Sequence, residues 1–392
     1  MSDIDLGEYG PDFTVNPHPY YAKMREAGPV HRIRTTDGSR LWLVVGHEAA
    51  RAALADPRLS KSPSVVGMTM LDERVIGPNL LVLDPPDHTR LRRLVAGQFT
   101  ARRVESLRPR VERLTGELAD AMAPAGHADL IDSFAFPLPI TVICELLGIP
   151  AADRDTFRAW SNEIVAPTGA GPEAEAIEGL AAYLDSLIED KRAAGPSDDL
   201  LSDLITARAE DGDRLSLAEL RALAYLLLIA GHETTVNLIS NAVRALLTHP
   251  AALAAARADP GLLDGVVEET LRWEGPVENA TFRFTREPVR IGETVIPAYE
   301  PVLVSLASGD RDPARYPDAD RFDPHRDPRG HLAFGHGIHY CLGAPLARLE
   351  ARTALGTLLE RFPQLELDPE GGAPEWLPGL LMRGVRRLPV RW

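Results

Sequence analysis

The chain has 392 residues, 45% of them hydrophobic and 25% charged, a composition typical of a globular protein with a core large enough to enclose a cofactor. The net charge of −15 at pH 7 excludes nucleic acid and an anionic membrane as the main partner, because phosphate surfaces repel an acidic protein. The start MSDIDLGEYG lacks the basic and apolar segments of a signal peptide, and two cysteines give no disulfide framework. We therefore predict a soluble, cytoplasmic protein.

The pattern in chain order begins with a β-hairpin and continues with helices. VHRIRT and SRLWLVV flank the turn residues Asp37 and Gly38, and residues 48–273 carry apolar side chains at helical spacing. Short strands are predicted around residues 280–306, including VRIG, ETVIP and PVLVSLA. After the cysteine loop another helix and short strands reach Trp392. We predict one domain over residues 1–392, mainly α with a smaller β region.

Two irregular segments interrupt the helical part. Residues 62–83 lack clear periodicity and contain Gly67, Gly77 and Pro78, and residues 166–172 read APTGAGP between two helices. Segments of this kind often form lids or binding loops.

A cluster of basic residues departs from the acidic average. Between positions 88 and 113 there are eight arginines and only two acids, Glu105 and Glu112. The cluster has two interpretations, a docking patch for an acidic partner or a solvated helix face, and charge alone does not decide between them.

The segment LAYLLLIAGHETTVNLISN is apolar on nearly all sides before Gly231, which predicts a buried helix. A glycine, a glutamate and two threonines in its middle break several packing rules at once, a combination that indicates a functional site. The alternative is a surface turn of the helix that carries solvated polar residues.

The segment 334–343 reads FGHGIHYCLG and is followed by a helical run with Pro345 in its opening turns. Gly335 and Gly337 permit backbone conformations closed to other residues. Cys341 therefore precedes a helix N-terminus, where the dipole and free backbone N–H groups favour thiolate. A lone cysteine is usually a small buried hydrophobe, and Cys144 in ITVICELLG fits that interpretation.

The cysteine segment resembles the haem-binding loop of the cytochrome P-450 superfamily, and the resemblance extends over nearly the whole chain. It implies the P-450 fold, with haem b between a long central helix and the helix that follows the cysteine loop. By the same match Cys341 would be the axial thiolate ligand of the iron and Gly343 part of the haem contact, while His339 would hydrogen-bond a propionate.

The resemblance also assigns residues away from the cysteine. His88 and Arg92 in LDPPDHTRLRR and Arg283 in NATFRFT would be propionate donors, although each by itself is ordinarily a surface charge. Glu269 and Arg272 match the family's Glu-x-x-Arg signature, which Arg321 would complete to hold the cysteine loop in place.

Ala230, Gly231, Glu233 and Thr234 are similar to the family's oxygen-activating signature. Thr234 would hold a water and Glu233 would relay protons to dioxygen, which makes these two the catalytic residues. His232 falls at the variable position of this signature and receives no catalytic role.

The resemblance implies a monooxygenase that takes O2 and a bulky lipophilic substrate. The pocket would be lined by the loop 62–83, by the helix before Gly231, by the segment 277–282 and by the turn 380–382. Within these segments Ala230, Val277 and Leu381 would contact the substrate. The chain looks most like actinobacterial enzymes that hydroxylate or epoxidise macrolides and other polyketides. Because no flavin or NADPH domain follows, we expect electrons from a separate ferredoxin and ferredoxin reductase.

Several alternatives remain open from the sequence. The substrate class could be steroid, secosteroid or terpenoid. An enzyme of the same fold could use peroxide or catalyse C–C coupling, and a haem-thiolate sensor or carrier would perform no reaction. Glu233 and Thr234 favour the oxygen-dependent monooxygenase, since the other classes need no proton relay.

Overall fold

A computed structural model describes residues 3–69, 71–97, 99–150, 153–165, 168–207 and 212–392. In chain order its α-helices are α1 Pro11–Val15, α2 His18–Ala27, α3 His47–Ala55, α4 Leu71–Val75, α5 Asp87–Ala96, α6 Ala101–Ser106, α7 Arg108–Met122, α8 Pro137–Leu147, α9 Arg154–Val165, α10 Ala170–Ala194, α11 Leu200–Thr206, α12 Leu217–Thr248, α13 Pro250–Ala258, α14 Leu263–Glu274, α15 Leu306–Asp310 and α16 Ala344–Arg361.

The strands are short. They are β1 Ile4–Asp5, β2 Val30–Arg34, β3 Arg40–Val44, β4 Leu59–Ser60, β5 His127–Asp129, β6 Arg283–Thr285, β7 Val289–Ile291, β8 Thr294–Ile296, β9 Pro301–Val304, β10 Glu366–Leu367 and β11 Pro389–Arg391. Single 3-10 turns occur between them, including one at Gly337–His339 in the cysteine loop.

The chain forms two compact units, each assembled from discontinuous segments. The first comprises Met1–Lys61, Glu112–Ala135 and Thr234–Trp392, and the second comprises Ser62–Val111 and Phe136–Glu233. Every described strand belongs to the first unit, whereas the described secondary structure of the second is helical. Helices α7 and α12 each contribute residues to both units. The expectation of a single domain stays a prediction.

The first unit is built on a six-stranded mixed sheet of order β1-β2-β3-β9-β6-β4. Its middle strands bury one face, because Val44, Val302 and Val304 are all inaccessible to solvent and pack in one apolar cluster with Leu54 and Leu332. Leu332 lies nine residues before Cys341, so this core anchors the segment that enters the cysteine loop. Smaller sheets pair β10-β11-β5 and β7-β8.

The second unit is a layer of helices in which α8 is the most apolar. Its residues from Leu138 to Leu147 are buried almost without interruption, Cys144 among them. Proline opens α8 where a missing N–H costs nothing, and Gly148 closes it in the left-handed conformation. The prediction that Cys144 is a core residue is confirmed.

Most predicted elements are confirmed. The Asp37-Gly38 turn joins the antiparallel pair β2 and β3, and VRIG and ETVIP form the hairpin of β7 and β8. The run PVLVSLA is strand only as far as Val304. Ser305 accepts a hydrogen bond from the N–H of Ser308 and so caps helix α15, which takes over the apolar residues that follow.

Helix α12 is long and apolar enough to cross a membrane by length and composition alone. However, 61% of its most apolar window is buried inside the protein, as expected for a core helix. The prediction of a buried central helix is confirmed.

Candidate active site

The cysteine loop presents its sulfur at the start of helix α16. Gly335 and Gly337 have φ of 75° and 76°, which L-residues rarely adopt, and a Cβ added at Gly337 would lie 3.3 Å from the carbonyl oxygen of Leu54. The N–H of Cys341 donates to the carbonyl of Phe334 at 2.9 Å and closes the loop. Cys341 is exposed and lies two residues before the helix N-cap Gly343. The positive end of α16 therefore favours its thiolate.

A buried cation and a histidine accompany the loop in the first unit. Arg283 is 4% exposed, and its guanidinium donates to the carbonyls of Leu54 at 3.4 Å and Thr281 at 3.5 Å. His339 ends the 3-10 turn two residues before Cys341 and is half-buried. A buried guanidinium can form a charge-assisted hydrogen bond to a carboxylate, which is stronger than a bond to a carbonyl.

The buried pair Glu269 and Arg272 forms the support behind the loop. Both side chains are inaccessible, and two parallel hydrogen bonds of 2.7 and 2.8 Å join the guanidinium and the carboxylate. Arg272 also donates to the carbonyls of Asp310 and Ala319 at 2.8 and 2.9 Å. One fully buried ion pair thus holds the irregular segment before the cysteine loop.

The prediction that Arg321 completes this cluster is wrong. Its side chain is 70% exposed and lies 3.5 Å from Asp323, and only its backbone carbonyl accepts a bond from Arg272. Arg326 takes the predicted position: its side chain is 13% exposed and its Nε donates to Glu269 Oε1 at 3.3 Å. We call Glu269, Arg272 and Arg326 the buried clamp.

Sequence reasoning also missed a second ionic group beside the loop. Glu268 accepts from His331 and from Arg348, whose guanidinium lies 4.5 Å above the ring of Phe334. Burial by itself raises the pKa of Glu268, but these two hydrogen bonds outweigh it and lower the pKa to about 2. Glu268 directly precedes the Glu-x-x-Arg signature in GVVEETLRW. A second charged residue beside the signature was the one sequence feature that could have indicated this ionic group.

His88 and Arg92 lie on one face of helix α5 in the second unit. His88 is 1% exposed, and its pKa is lowered first by burial and then by the positive charge of Arg92, while Asp84 opposes the shift. The two side chains are four residues apart on α5, so their nitrogen donors share one helix face. A pair of this kind suits a carboxylate ligand.

Helix α12 carries Glu233 and Thr234, the two residues that the sequence predicts to supply protons. It continues without interruption through Gly231, and a Cβ added there would lie 3.1 Å from the side chain of Ile143 on α8. Glu233 is 18% exposed and Thr234 is half-buried, so the alternative of a solvated surface turn does not apply. His232 is completely buried.

The structure brings together two of the three predicted pocket residues. Val277 forms an antiparallel bridge with Met382, and the N–H of Glu278 donates to the carbonyl of Leu381 at 2.8 Å. Leu381 is 44% exposed and Phe282 is 45% exposed, so this part of the first unit presents apolar side chains outward. Ala230, in the second unit, is exposed on its helix.

The arginine cluster is largely engaged in ion pairs. Arg90 contacts Asp213 and Glu219, Arg103 contacts Asp203, and Arg110 forms two bonds with Glu145. Arg102 on α6 is exposed. Much of the cluster therefore serves helix packing, and a docking surface would be smaller than the arginine count alone predicts.

Comparisons with known proteins identify the family of this chain. A family model described as Cytochrome P450 matches residues 161–387. The chain is 55% identical to the cytochrome P450 monooxygenase PikC of Streptomyces venezuelae over 99% of its own length and 94% of that protein. It is 44% identical to 6-deoxyerythronolide B hydroxylase of Saccharopolyspora erythraea over 97% of its length and 96% of that protein.

A solved structure of the P450 monooxygenase TamI with tirandamycin C bound shares the fold. Its TM-score is 0.90 at 44% identity, over 99% of both chains. The protein belongs to the cytochrome P450 family, and it is a monooxygenase closely related to macrolide and polyketide hydroxylases. The predicted class of enzyme and the predicted fold, mainly α with a smaller β region, are confirmed.

Haem with a cysteine axial ligand is the cofactor of this family. The donor set in each unit fits that group. The first unit offers an exposed cysteine at a helix N-terminus together with the buried Arg283, and the second offers the adjacent His88 and Arg92. A thiol for the iron and nitrogen donors, including the cationic arginines, for two propionates are the groups that haem requires.

Proposed function

We propose that this P450 inserts one oxygen atom of O2 into a bulky natural product of the macrolide or polyketide type, by hydroxylation or epoxidation. The observation that carries the proposal is the relationship to 6-deoxyerythronolide B hydroxylase and to the TamI structure with tirandamycin C bound, each at 44% identity over nearly the whole chain. The exposed apolar side chains of Phe282 and Leu381 support a lipophilic substrate, since apolar linings dominate such pockets.

For the cofactor, we propose that Cys341 would hold the iron through its sulfur, that His88, Arg92, Arg283 and His339 would hold the propionates, and that Gly343 would contact the haem. When bound, the haem would supply the oxidising chemistry, and the Cys341 thiolate would be its electron-rich ligand. The buried clamp and Glu268 keep the cysteine segment in place and touch no reacting atom.

For the proton supply we assign Glu233 and Thr234. The carboxyl of Glu233 is partly accessible and so can exchange protons with water, while the hydroxyl of Thr234 can hold a water by one hydrogen bond and pass a proton by another. We assign Ala230, Val277 and Leu381 to the substrate contact.

Electrons, we propose, come from a reduced ferredoxin and its reductase in the cytoplasm. An acidic ferredoxin would require a basic contact on this acidic protein, and helices α5 to α7 carry the densest group of arginines.

A spectral titration of the haem-loaded protein tests the substrate class. Macrolides and linear polyketides, steroids, secosteroids and terpenoids are added in turn while the shift of the Soret band is followed. We expect the tightest binding within the polyketide group, and incorporation of one atom from isotopically labelled O2 into the bound compound. Tighter binding and turnover of a steroid or terpenoid would replace the proposed substrate class.

The variant Thr234→Ala tests the proton supply. We expect it to divert electrons into hydrogen peroxide and so lower the product formed per NADPH oxidised. The matched control is Thr248→Ala on the same helix, whose hydroxyl contacts the carbonyls of Arg244 and Ala245 and Nδ1 of His249. Unchanged coupling in Thr234→Ala, or peroxide-driven turnover at a comparable rate, would favour a peroxide-using enzyme.

A further inference from the structure

His232 occupies the variable position of the signature on α12, yet it is one of the most completely buried polar residues of the chain, with no accessible surface. Buried imidazoles require hydrogen-bond partners for both ring nitrogens. His232 has them: its Nδ1 lies 2.7 Å from the carbonyl oxygen of Leu228, and its Nε2 lies 2.8 Å from Oγ of Ser161 on α9.

These contacts determine the tautomer. A carbonyl oxygen can only accept, so Nδ1 carries the proton and donates to Leu228. Nε2 is then the acceptor, and the hydroxyl of Ser161 donates to it. Burial lowers the pKa of His232 to about 4, and the bond to the carbonyl of Leu228 opposes this only in part, so the ring stays neutral.

The position of the ring is set from several sides. The ring of Phe136 meets that of His232 edge-on at 5.7 Å, and Arg158 lies 4.5 Å above the Phe136 ring. Arg158 and Ser161 are three residues apart on α9 and share a face. Ile143 packs against Gly231, the residue before His232, so closely that an added Cβ there would lie 3.1 Å from its side chain.

The carboxyl of Glu233 lies beside the occupied nitrogen. Its Oε2 lies 4.0 Å from Nε2 of His232. Nε2 has one lone pair and so accepts one strong hydrogen bond, which the Ser161 hydroxyl donates. Were that hydroxyl absent, a buried acceptor would remain unsatisfied, and a protonated Glu233 carboxyl could satisfy it after a small rotation.

We propose that Ser161 and His232 are a positioning pair for Glu233: the serine hydroxyl occupies Nε2 and so keeps the Glu233 carboxyl out of a hydrogen bond with the imidazole. This inference rests on the proposed relay role of Glu233. Ser161 and His232 contact no reacting atom themselves; they act through Glu233.

The test compares Ser161→Ala, Ser161→Thr and the control Ser202→Ala in the haem-loaded enzyme. Ser202 is equally buried in the second unit, and its hydroxyl contacts Ser197 and Asp199 instead. General acid–base catalysis contributes about 10²–10⁴-fold, so partial loss of a well-placed carboxyl should raise peroxide formed per NADPH by roughly fivefold to tenfold in Ser161→Ala. Ser161→Thr keeps the hydroxyl and should restore coupling, and Ser202→Ala should match the wild type.

Two further measurements separate positioning from packing. In the Glu233→Gln background, Ser161→Ala should add no further uncoupling, because its effect passes through the carboxyl. Infrared difference spectra of Ser161→Ala should show a protonated carboxyl band that Glu233→Gln removes. Wild-type coupling with no such band in Ser161→Ala overturns the inference, and so does equal uncoupling in both backgrounds.

The results expected if the Ser161–His232 pair is wrong differ from those expected if Glu233 and Thr234 do not supply protons. In that case Thr234→Ala stays coupled, while the infrared band of Ser161→Ala still appears and supports the pair. If the pair is wrong but the relay is right, Thr234→Ala uncouples and Ser161→Ala shows no band and behaves like Ser202→Ala.

Discussion

The carboxyl of Glu350 is the most isolated ionisable group in helix α16. It is 1% exposed, and among the described residues no hydrogen-bond partner reaches its Oε2. Burial raises its pKa from 4.5 to about 8. Between those two pH values the folded state binds a proton that the unfolded chain has released, so stability falls as the pH rises through this window and levels off above it.

Glu350→Gln should remove this dependence, because the amide is neutral at every pH. One unit of pKa shift corresponds to about 1.4 kcal/mol, so the advantage of the variant over the wild type should grow by a few kcal/mol from pH 5 to pH 8.5. Thermal unfolding midpoints across that range measure it. Glu360→Gln, at an exposed position on the same helix, is the control. Parallel pH profiles for Glu350→Gln and wild type would refute the prediction.

Two arginines five residues apart, Arg321 and Arg326, should differ sharply in their contribution to stability. Arg326 donates to the buried Glu269 and, at 2.6 and 3.0 Å, to the carbonyls of Pro317 and Asp318. Hydrogen bonds to charged groups contribute about 1.5–3 kcal/mol, so Arg326→Gln should cost roughly that amount. Arg321→Gln should stay within about 0.5 kcal/mol, since an exposed pair contributes little.

Unfolding midpoints and haem retention on dilution measure both variants. Equal losses of stability in the two variants would mean that the side chain of Arg321 supports the cysteine segment as much as that of Arg326 does. Haem loss confined to Arg321→Gln would restore the assignment made from sequence.

These residues also show what a sequence can and cannot predict at this scale. The spacing around Cys341 is local, since two glycines and a helix start lie within a few positions of the sulfur, and a local pattern is visible in one dimension. The arginine that completes the buried clamp lies in a proline-rich segment without periodicity, where nothing in the sequence indicates which side chain faces Glu269. His232 falls at the variable position of its signature, and nothing in the local sequence indicates its partner Ser161, which is 71 residues away.

Helices α14 and α16 each contain a glycine, and the two should respond to alanine with opposite sign. A Cβ at Gly265 would clash with the carbonyl oxygen of Pro324, a backbone atom two residues before Arg326 of the buried clamp. A Cβ at Gly356 would meet only Leu263 Cδ1 at 3.5 Å, an ordinary contact. Alanine gains about 1 kcal/mol of helix propensity over glycine at both positions.

At Gly265 that gain is outweighed, because overpacking against backbone costs about 1–3 kcal/mol or more and displaces the segment that carries Arg326. Thermal unfolding should therefore show Gly265→Ala below the wild type and Gly356→Ala above it. A stabilised Gly265→Ala would mean that α14 can shift away from Pro324 without cost.

Elements were predictable where their signal is a short pattern. The Asp37-Gly38 turn predicted the β2–β3 hairpin because the type of turn is decided by those two residues. PVLVSLA was predicted as strand throughout because an apolar run does not distinguish strand from buried helix. The cap at Ser305 was the missing signal, since its side chain bonds the N–H three residues later.

For the whole molecule, the division into two units lay beyond sequence reasoning. The boundary between Glu233 and Thr234 falls inside the uninterrupted helix α12, where no linker, glycine run or change of composition marks it. The membership of each unit is decided by contacts between distant segments, and such contacts leave no local trace. The overall class was predictable because the family's motifs are spread over the whole chain.

The net charge of the whole molecule should affect the rate at which an acidic ferredoxin reduces it. The protein carries a net charge of −15, so long-range repulsion opposes encounter unless a local basic surface offsets it.

Arg102→Glu on α6 and the control Arg192→Glu on α10 change the net charge equally, and both positions are exposed. Steering changes association rates by about 10–10³-fold, so Arg102→Glu should slow reduction at low salt by roughly tenfold and Arg192→Glu by no more than about twofold. Stopped-flow reduction over a salt series measures both, and the difference should shrink towards 0.15 M salt, where the Debye length is about 8 Å. Equal slowing by the two variants would show that net charge alone acts, with no docking site at the arginine cluster.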